Sequence, residues 1–208
     1  MEVIRIVLGA YYTNCYIVDE EKERECILID PADNADYLSS YLEHKKLVPI
    51  AIILTHEHYD HILAVPGLQE KYPYLKVYCH KSAVSKDFYE YDMGVRYPTV
   101  KTFKCVDLLE DKQVLTLMGI KFIVMHTPGH SPGSIVLQTK DCLFTGDTLF
   151  KGGIGRTDFK GGNTIEIINS LKKIIQLPMK NAKIFPGHDE STSLEWEKKY
   201  NPYLAKLI

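Results

Sequence analysis

No stretch of this 208-residue chain stays apolar for the roughly 20 residues that a membrane-spanning helix requires. Nor does it contain a Cys-x-x-Cys pair. Its five cysteines, Cys15, Cys26, Cys79, Cys105 and Cys142, are scattered and odd in number, which fits free thiols in a reducing compartment better than a disulfide framework. Met1-Glu2-Val3-Ile4-Arg5 lacks the basic region of a signal peptide and no cleavage pattern follows, so the expected location is the cytoplasm. An excess of one charge is also missing. A net charge of −2 leaves no basic field to draw the protein to nucleic acid. There is no linker, low-complexity tract or long like-charge block, and the expectation is one domain spanning residues 1–208. A Gly-x-Ser-x-Gly elbow is absent as well, which removes the commonest sign of a serine nucleophile.

What the chain does have is regular. Short apolar runs at Val3–Leu8, Cys15–Val18 and Cys26–Ile29 read as an antiparallel opening. Helical spacing follows over Asp36–Leu47 and again over Ile62–Tyr72, with a short strand at Val77–Cys79. In the second half, Val114–Leu117 and Ile120–Met125 flank Met118-Gly119 like a hairpin, and Ser134–Gln138 with Cys142–Thr145 makes another pair. Thr164–Leu177 reads as an amphipathic helix capped by Asn163, with Ile165, Ile168, Leu171, Ile174 and Ile175 on one face. Lys183–Phe185 is a last strand and Ser191–Tyr200 a last helix. Both halves run strands, helix, strand. The fold class expected is α/β, a four-layer αββα sandwich of two mixed β-sheets packed face to face.

Polar chemistry is concentrated in four segments, each just after an apolar strand-like run: Thr55-His56-Glu57-His58-Tyr59-Asp60-His61, His126-Thr127-Pro128-Gly129-His130, Gly146-Asp147 and Pro186-Gly187-His188. Burying so many imidazoles and carboxylates at strand ends is costly unless something pairs with them. Two divalent cations would. Residues two apart in extended chain point the same way, so His56 and His58 can grip one ion while Asp60 and His61 face a neighbouring one. Of the other histidines, His44 reads as a solvent-facing helix residue and His80 as a strand end. His126, four before His130, reads as a side chain outside the centre or as a support for it. Asp30 either orients a ligand histidine or caps a turn before Pro31.

Together with Leu28-Ile29-Asp30-Pro31, Ser131-Pro132-Gly133-Ser134 and Thr148-Leu149-Phe150, these segments resemble the metallo-β-lactamase superfamily, and more closely its glyoxalase II-like hydrolases. The resemblance covers nearly the whole chain and keeps the family order. It implies that His56, His58 and His130 hold a first metal, that Asp60, His61 and His188 hold a second, and that Asp147 bridges them. A ligand set of imidazole and carboxylate without thiolate suits Zn²⁺ and also accommodates Fe or Mn. Two ions about 3.5–4 Å apart share a water and bring its pKa toward about 7, giving a bridging hydroxide without any side-chain nucleophile. Asp60 is the expected acceptor of the hydroxide proton. The net positive charge left at such a centre favours an anionic tetrahedral intermediate, hence hydrolysis of an ester-like carbonyl.

The resemblance also implies a substrate class. In glyoxalase II relatives a basic residue beyond the bridging aspartate grips the glutathione portion of a thioester, and here that position is Arg156. A guanidinium holds a carboxylate through two hydrogen bonds. The alternative for Arg156 is a structural pair with Asp158, which stands where family members carry an aromatic. The expected partner is a small anionic thioester, with no nucleic acid and no membrane. The chain's ending, Ser191 to Ile208, resembles the short bacterial branch of the family. Phe88, Tyr89, Tyr91, Met93 and Tyr97 read as a pocket lining or as a partly buried loop. Two other activities share this ligand set: a persulfide dioxygenase with one iron on His56, His130 and Asp147, and a lactone hydrolase.

Overall fold

The computed structural model describes residues 1–20, 24–83, 103–104, 107–179 and 181–207. The first sheet follows chain order: β1 (Glu2–Leu8), β2 (Thr13–Asp19), β3 (Glu25–Ile29), β4 (Val48–Ile53), β5 (Lys76–His80) and β6 (Asp107–Leu109). Its first three strands pair antiparallel, as the short spacers between them allow, and β3 through β6 pair parallel. Parallel neighbours need crossovers. Helix α1 (Ala35–Lys45) supplies one between β3 and β4, and α2 (Tyr59–Ile62) with α3 (Val65–Lys71) supplies the next.

The second half adds β7 (Val114–Leu117), β8 (Ile120–His126), β9 (Ile135–Gln138), β10 (Cys142–Gly146), a hairpin of β11 (Leu149–Phe150) and β12 (Gly153–Ile154), α4 (Thr164–Ile175), β13 (Lys183–Pro186), β14 (Thr192–Ser193) and α5 (Leu194–Tyr200). Its main sheet runs β14-β13-β10-β9-β8-β7, with only the β10–β13 pair parallel and α4 as the crossover. Both large sheets are therefore mixed.

Side-chain alternation divides the interior into three apolar layers, which is what a four-layer sandwich requires. On β2, Cys15 and Ile17 point to the α1–α3 side with Leu38, Leu42, Val65 and Leu68. Their neighbours Tyr16 and Val18 point between the sheets, where they meet Phe122, Val124, Leu137 and Phe144 of the second sheet. On β9 and β10, Val136 and Leu143 turn outward to Leu171 and Ile174 of α4. Strands β2 and β10 are buried on both faces and read as continuous apolar runs for that reason. Each Leu, Ile or Val so buried contributes roughly 1.5–3 kcal/mol of transfer free energy.

Several expected boundaries shift. The run Ile62–Tyr72 is two short helices. The first begins at Tyr59, inside the histidine motif, and Pro66 falls in the first turn of the second, where no backbone donor is lost. Ser191–Tyr200 is β14 followed by α5, because Ser193 leaves the sheet edge and caps the helix, accepting from the Trp196 N–H. In α4 the Asn163 cap is as expected, accepting from Ile165 and Glu166. The buried face, however, is Ile167, Ser170, Leu171 and Ile174, and Ile165 is 72% exposed. β6, β11 and β12 are too short to carry a period. Cys15, Cys26, Cys79 and Cys142 are buried free thiols, and Cys105 lies outside the described residues. No helix among the described residues is long and apolar enough to cross a membrane.

Candidate metal centre

The loops after β4, β8, β10 and β13 meet at the C-terminal ends of their strands. Two backbone bonds fasten them: Ile135 N–H to the Thr55 carbonyl at 2.8 Å, joining the two sheets, and Gly187 N–H to the Gly146 carbonyl at 2.8 Å. His56 and His58 leave β4 in extended chain, while Asp60 and His61 sit in the first turn of α2. Gly187 allows the closest approach. A Cβ there would lie 2.1 Å from Asp147 Oδ1 and 2.7 Å from the His61 ring. Gly146 takes φ 47, a left-handed turn that aims Asp147 into the centre.

All seven expected ligands converge. His56, His58 and His130 offer donor atoms within 4.8 Å of one another, and so do Asp60, His61 and His188. Asp147 lies between the sets: Oδ2 is 3.5 Å from His130 Nε2 and 3.4 Å from His188 Nε2, and Oδ1 is 3.4 Å from His61 Nε2.

Outer hydrogen bonds fix which ring nitrogen faces inward. His130 Nδ1 donates to the Arg156 carbonyl at 2.9 Å, and His188 Nδ1 donates to the Tyr11 carbonyl at 3.1 Å. His61 Nδ1 donates to Asp30 Oδ2 at 2.9 Å. Thr55 Oγ1 gives its own proton to Asp30 Oδ2 at 2.6 Å and so accepts from His56 Nδ1 at 3.1 Å. These outer bonds hold the Nδ1 proton of four imidazoles outside and turn Nε2 inward, the orientation that ligation needs. Asp30 is the common root of two of these chains and so orients the His61 ring directly and the His56 ring through Thr55.

Divalent cations fit the donors present. His56 Nε2, His61 Nε2 and Asp147 Oδ1 are buried without a hydrogen-bond partner, and each such atom costs about 1–3 kcal/mol if left unpaired. The charge pattern agrees. Burial drives His56 well below the usual imidazole range, helped by His61, and burial with His130 alongside lowers His58. Burial also opposes charge on His61, yet Asp147, Asp60 and Asp30 outweigh it and hold this imidazole well above its usual range. Against the same penalty, hydrogen bonds to Asp147 and Asp60 push His188 up to about 9. Burial would raise the Asp147 carboxyl, but His61 and His188 hold it well below the carboxylate range. Positive charge therefore gathers on His61 and His188, beside Asp60 and Asp147.

A cavity of about 420 Å³ opens beside these ligands. Its other walls are Tyr11, Tyr59, Phe150, Ile154, Arg156 and Phe159. Arg156 is brought to the rim and also makes the pair with Asp158: Nε donates to Oδ1 at 2.7 Å and Nη2 to Oδ2 at 2.6 Å. Phe88, Tyr89, Tyr91, Met93 and Tyr97 lie outside the described residues.

Four supporting residues have no signal in the sequence. Glu57, buried, accepts from Ser131 Oγ at 2.8 Å and Gly133 N–H at 3.3 Å, tying the His56–His58 loop to the loop of His130. Thr13 Oγ1 donates to Asp60 Oδ2 at 3.1 Å, while Asn14 donates through its backbone to Gly187 O at 2.7 Å and through Nδ2 to Pro186 O at 2.8 Å. Glu197, buried in α5, accepts from Gly152 N–H at 3.0 Å and Asn201 Nδ2 at 2.8 Å, and so holds the hairpin that presents Phe150 and Ile154. His126 takes no part in the centre. It stacks on His80, with ring centroids 3.8 Å apart, and donates to the Pro132 carbonyl at 2.9 Å.

Comparison with known proteins bears on this geometry. A profile of the metallo-beta-lactamase superfamily matches residues 8–188. The chain is 34% identical over 206 residues to a probable metallo-hydrolase, YqgX, of Bacillus subtilis, covering 96% of each. It is 31% identical over 219 residues to the hydroxyacylglutathione hydrolase GloC of Haemophilus influenzae, covering 98% of each. Among solved structures, it superposes on the BLEG-1 B3 metallo-beta-lactamase with a TM-score of 0.89 at 34% identity, covering 98% of this chain and 99% of that one. It superposes on TTHA1623 in a di-iron-bound form with a TM-score of 0.85 at 33% identity, covering 97% and 100%.

Proposed function

Because this chain belongs to the metallo-beta-lactamase superfamily, we propose that it is a dinuclear metal-dependent hydrolase of thioesters of the S-acyl glutathione kind, carried by one domain over residues 1–208. The observation that carries the reading is Asp147, whose two oxygens face both donor sets at 3.4–3.5 Å. His56, His58 and His130 would hold one ion and Asp60, His61 and His188 the other, with Asp147 shared. The donors suit Zn²⁺, and a similar protein binds two irons, so Fe is the alternative. Bound there, the ions supply Lewis acidity and a water acidified to a pKa of about 7.

The chain's own residues do the rest. Asp60 faces the cavity and is steadied by Thr13 Oγ1 at 3.1 Å, which suits it to receive the proton released as water adds to the carbonyl. Tyr11, Tyr59 and Phe150 give the acyl group an apolar wall. Arg156 at the rim is the group to receive a carboxylate of the thiol carrier. The hydroxyacylglutathione hydrolase relative supports the thioester class, and the four buried free thiols support a cytoplasmic setting.

Metal analysis with a turnover panel tests the reading. The expected result is two metal equivalents per chain and faster hydrolysis of S-lactoylglutathione than of a lactone or a β-lactam. One iron per chain, with oxygen uptake on glutathione persulfide, would replace it with the dioxygenase reading.

A further inference from the structure

Among the described residues lining the cavity, Arg156 is the one lysine or arginine. Its guanidinium is already engaged twice. The Nε–Nη2 edge grips Asp158 through two hydrogen bonds of 2.7 and 2.6 Å, the geometry by which a guanidinium takes any carboxylate. Its flat face lies over the Phe159 ring, 3.9 Å from the centroid. Asp158 therefore occupies one of the edges by which the guanidinium could take a carboxylate on a substrate.

Two features make this more than a surface ion pair. The Asp158 side chain is 65% exposed, so nothing packs it permanently against Arg156 and an incoming anion can displace it. The hydrogen bond from Arg156 lowers the Asp158 carboxyl to about 2, so the competitor is charged throughout the neutral range. With the pair closed, the rim is electrically neutral, and the remaining wall of Tyr11, Tyr59, Phe150 and Ile154 favours apolar groups.

Resting on the thioester reading above, we propose that Asp158 is a specificity-determining residue. It competes within the chain for Arg156, limits what the site gains from a carboxylate on the thiol carrier, and so widens the substrate range toward thioesters with uncharged carriers. Exposed ion pairs are modest in strength, so the expected effect is about two- to fivefold.

The test measures binding apart from turnover. The metal-loaded protein is titrated calorimetrically with S-hexylglutathione, a non-hydrolysable carboxylate-bearing probe, and with its diethyl ester. Asp158→Asn, with Asp158→Ser as a second variant, should tighten S-hexylglutathione about two- to fivefold and leave the diester unchanged. Adding Arg156→Ala should erase the gain. In turnover, Asp158→Asn should lower KM for S-lactoylglutathione and leave KM for the lactoyl thioester of N-acetylcysteamine unaltered. Equal tightening of both probes, weaker binding of S-hexylglutathione, or no binding by any variant overturns the proposal. If the binding shift appears but no thioester is hydrolysed, the carboxylate competition stands and the thioester activity fails.

Discussion

His56, His58 and His130 form a set of three imidazoles sunk beneath the loops, with His56 only 1% exposed. Asp60, His61 and His188 combine two imidazoles with a carboxylate, and the side chains of Asp60 and His188 are 15% and 21% exposed at the cavity wall. The supports differ in the same sense. A buried carboxylate, Glu57, crosses between the chain halves behind the first set. Behind the second, the Asn14 amide on β2 crosses to Pro186, while the neighbouring Thr13 hydroxyl steadies Asp60 within the first half. Neutral lone pairs deep in the protein favour a tightly kept ion. A charged donor at an open wall favours an ion that shares its coordination with substrate and solvent. The comparison teaches that one centre can separate holding from reacting while a single residue, Asp147, keeps both in register.

Removing that shared residue should have the largest effect. Asp147→Ala is expected to lose several kcal/mol of transition-state stabilisation, on the order of 10³-fold in kcat/KM, together with metal content. Wild-type activity and two equivalents of metal in that variant would break the bridge. Next comes Asp30, which steadies His61 directly and His56 through Thr55. Asp30→Asn should weaken zinc at both halves by about 10–100-fold in chelator competition. A loss confined to one half would show that the Thr55 link is idle. Glu57→Gln replaces one of the two acceptor oxygens with an NH2 donor, so the bonds from the Ser131 hydroxyl and the Gly133 N–H cannot both be kept. It should cost about tenfold at the first half alone, read as altered cobalt(II) absorption from that site with the second unchanged.

The gentlest test is pH. Metal-free His188 keeps its proton up to about pH 9, so an ion entering the second half must displace it. Apparent zinc affinity there should rise at least tenfold per pH unit from 7, because His61, held well above the imidazole range by its carboxylates, gives up a proton as well, and the slope should ease as the pH passes about 9. His56 and His58 are held below the imidazole range and add no such proton at the first half. Titration of the two sites between these pH values sharpens the contrast, and parallel slopes would erase it.

The ligands were legible because a strand end followed by closely spaced imidazoles is local information. Their supports were not. Asp30 could be read two ways until β3 was seen to lie parallel to β4, which sets it beside Thr55. In these supports Glu57, Thr13 and Asn14 bond to residues 47 to 173 positions away, and no period or spacing reports that. The buried face of α4 was misplaced by Ile165 for a related reason. Hydrophobicity marks a stripe, but Ile167 and Ser170 are chosen by what they touch, Ser170 donating to the Pro128 carbonyl at 2.8 Å. The Arg156–Asp158 pair stayed open because two residues so near in sequence can meet or diverge with one change of backbone angle.

The peptide unit at position 156 faces two ways: its side chain reaches the cavity rim while its carbonyl receives the Nδ1 proton of His130 at 2.9 Å. Any pull on that side chain is therefore felt, one hydrogen bond later, by an imidazole of the deeper donor set. A chromophoric ion such as cobalt placed there would act as a built-in gauge, changing colour when a molecule docks at the entrance and before any bond is cut.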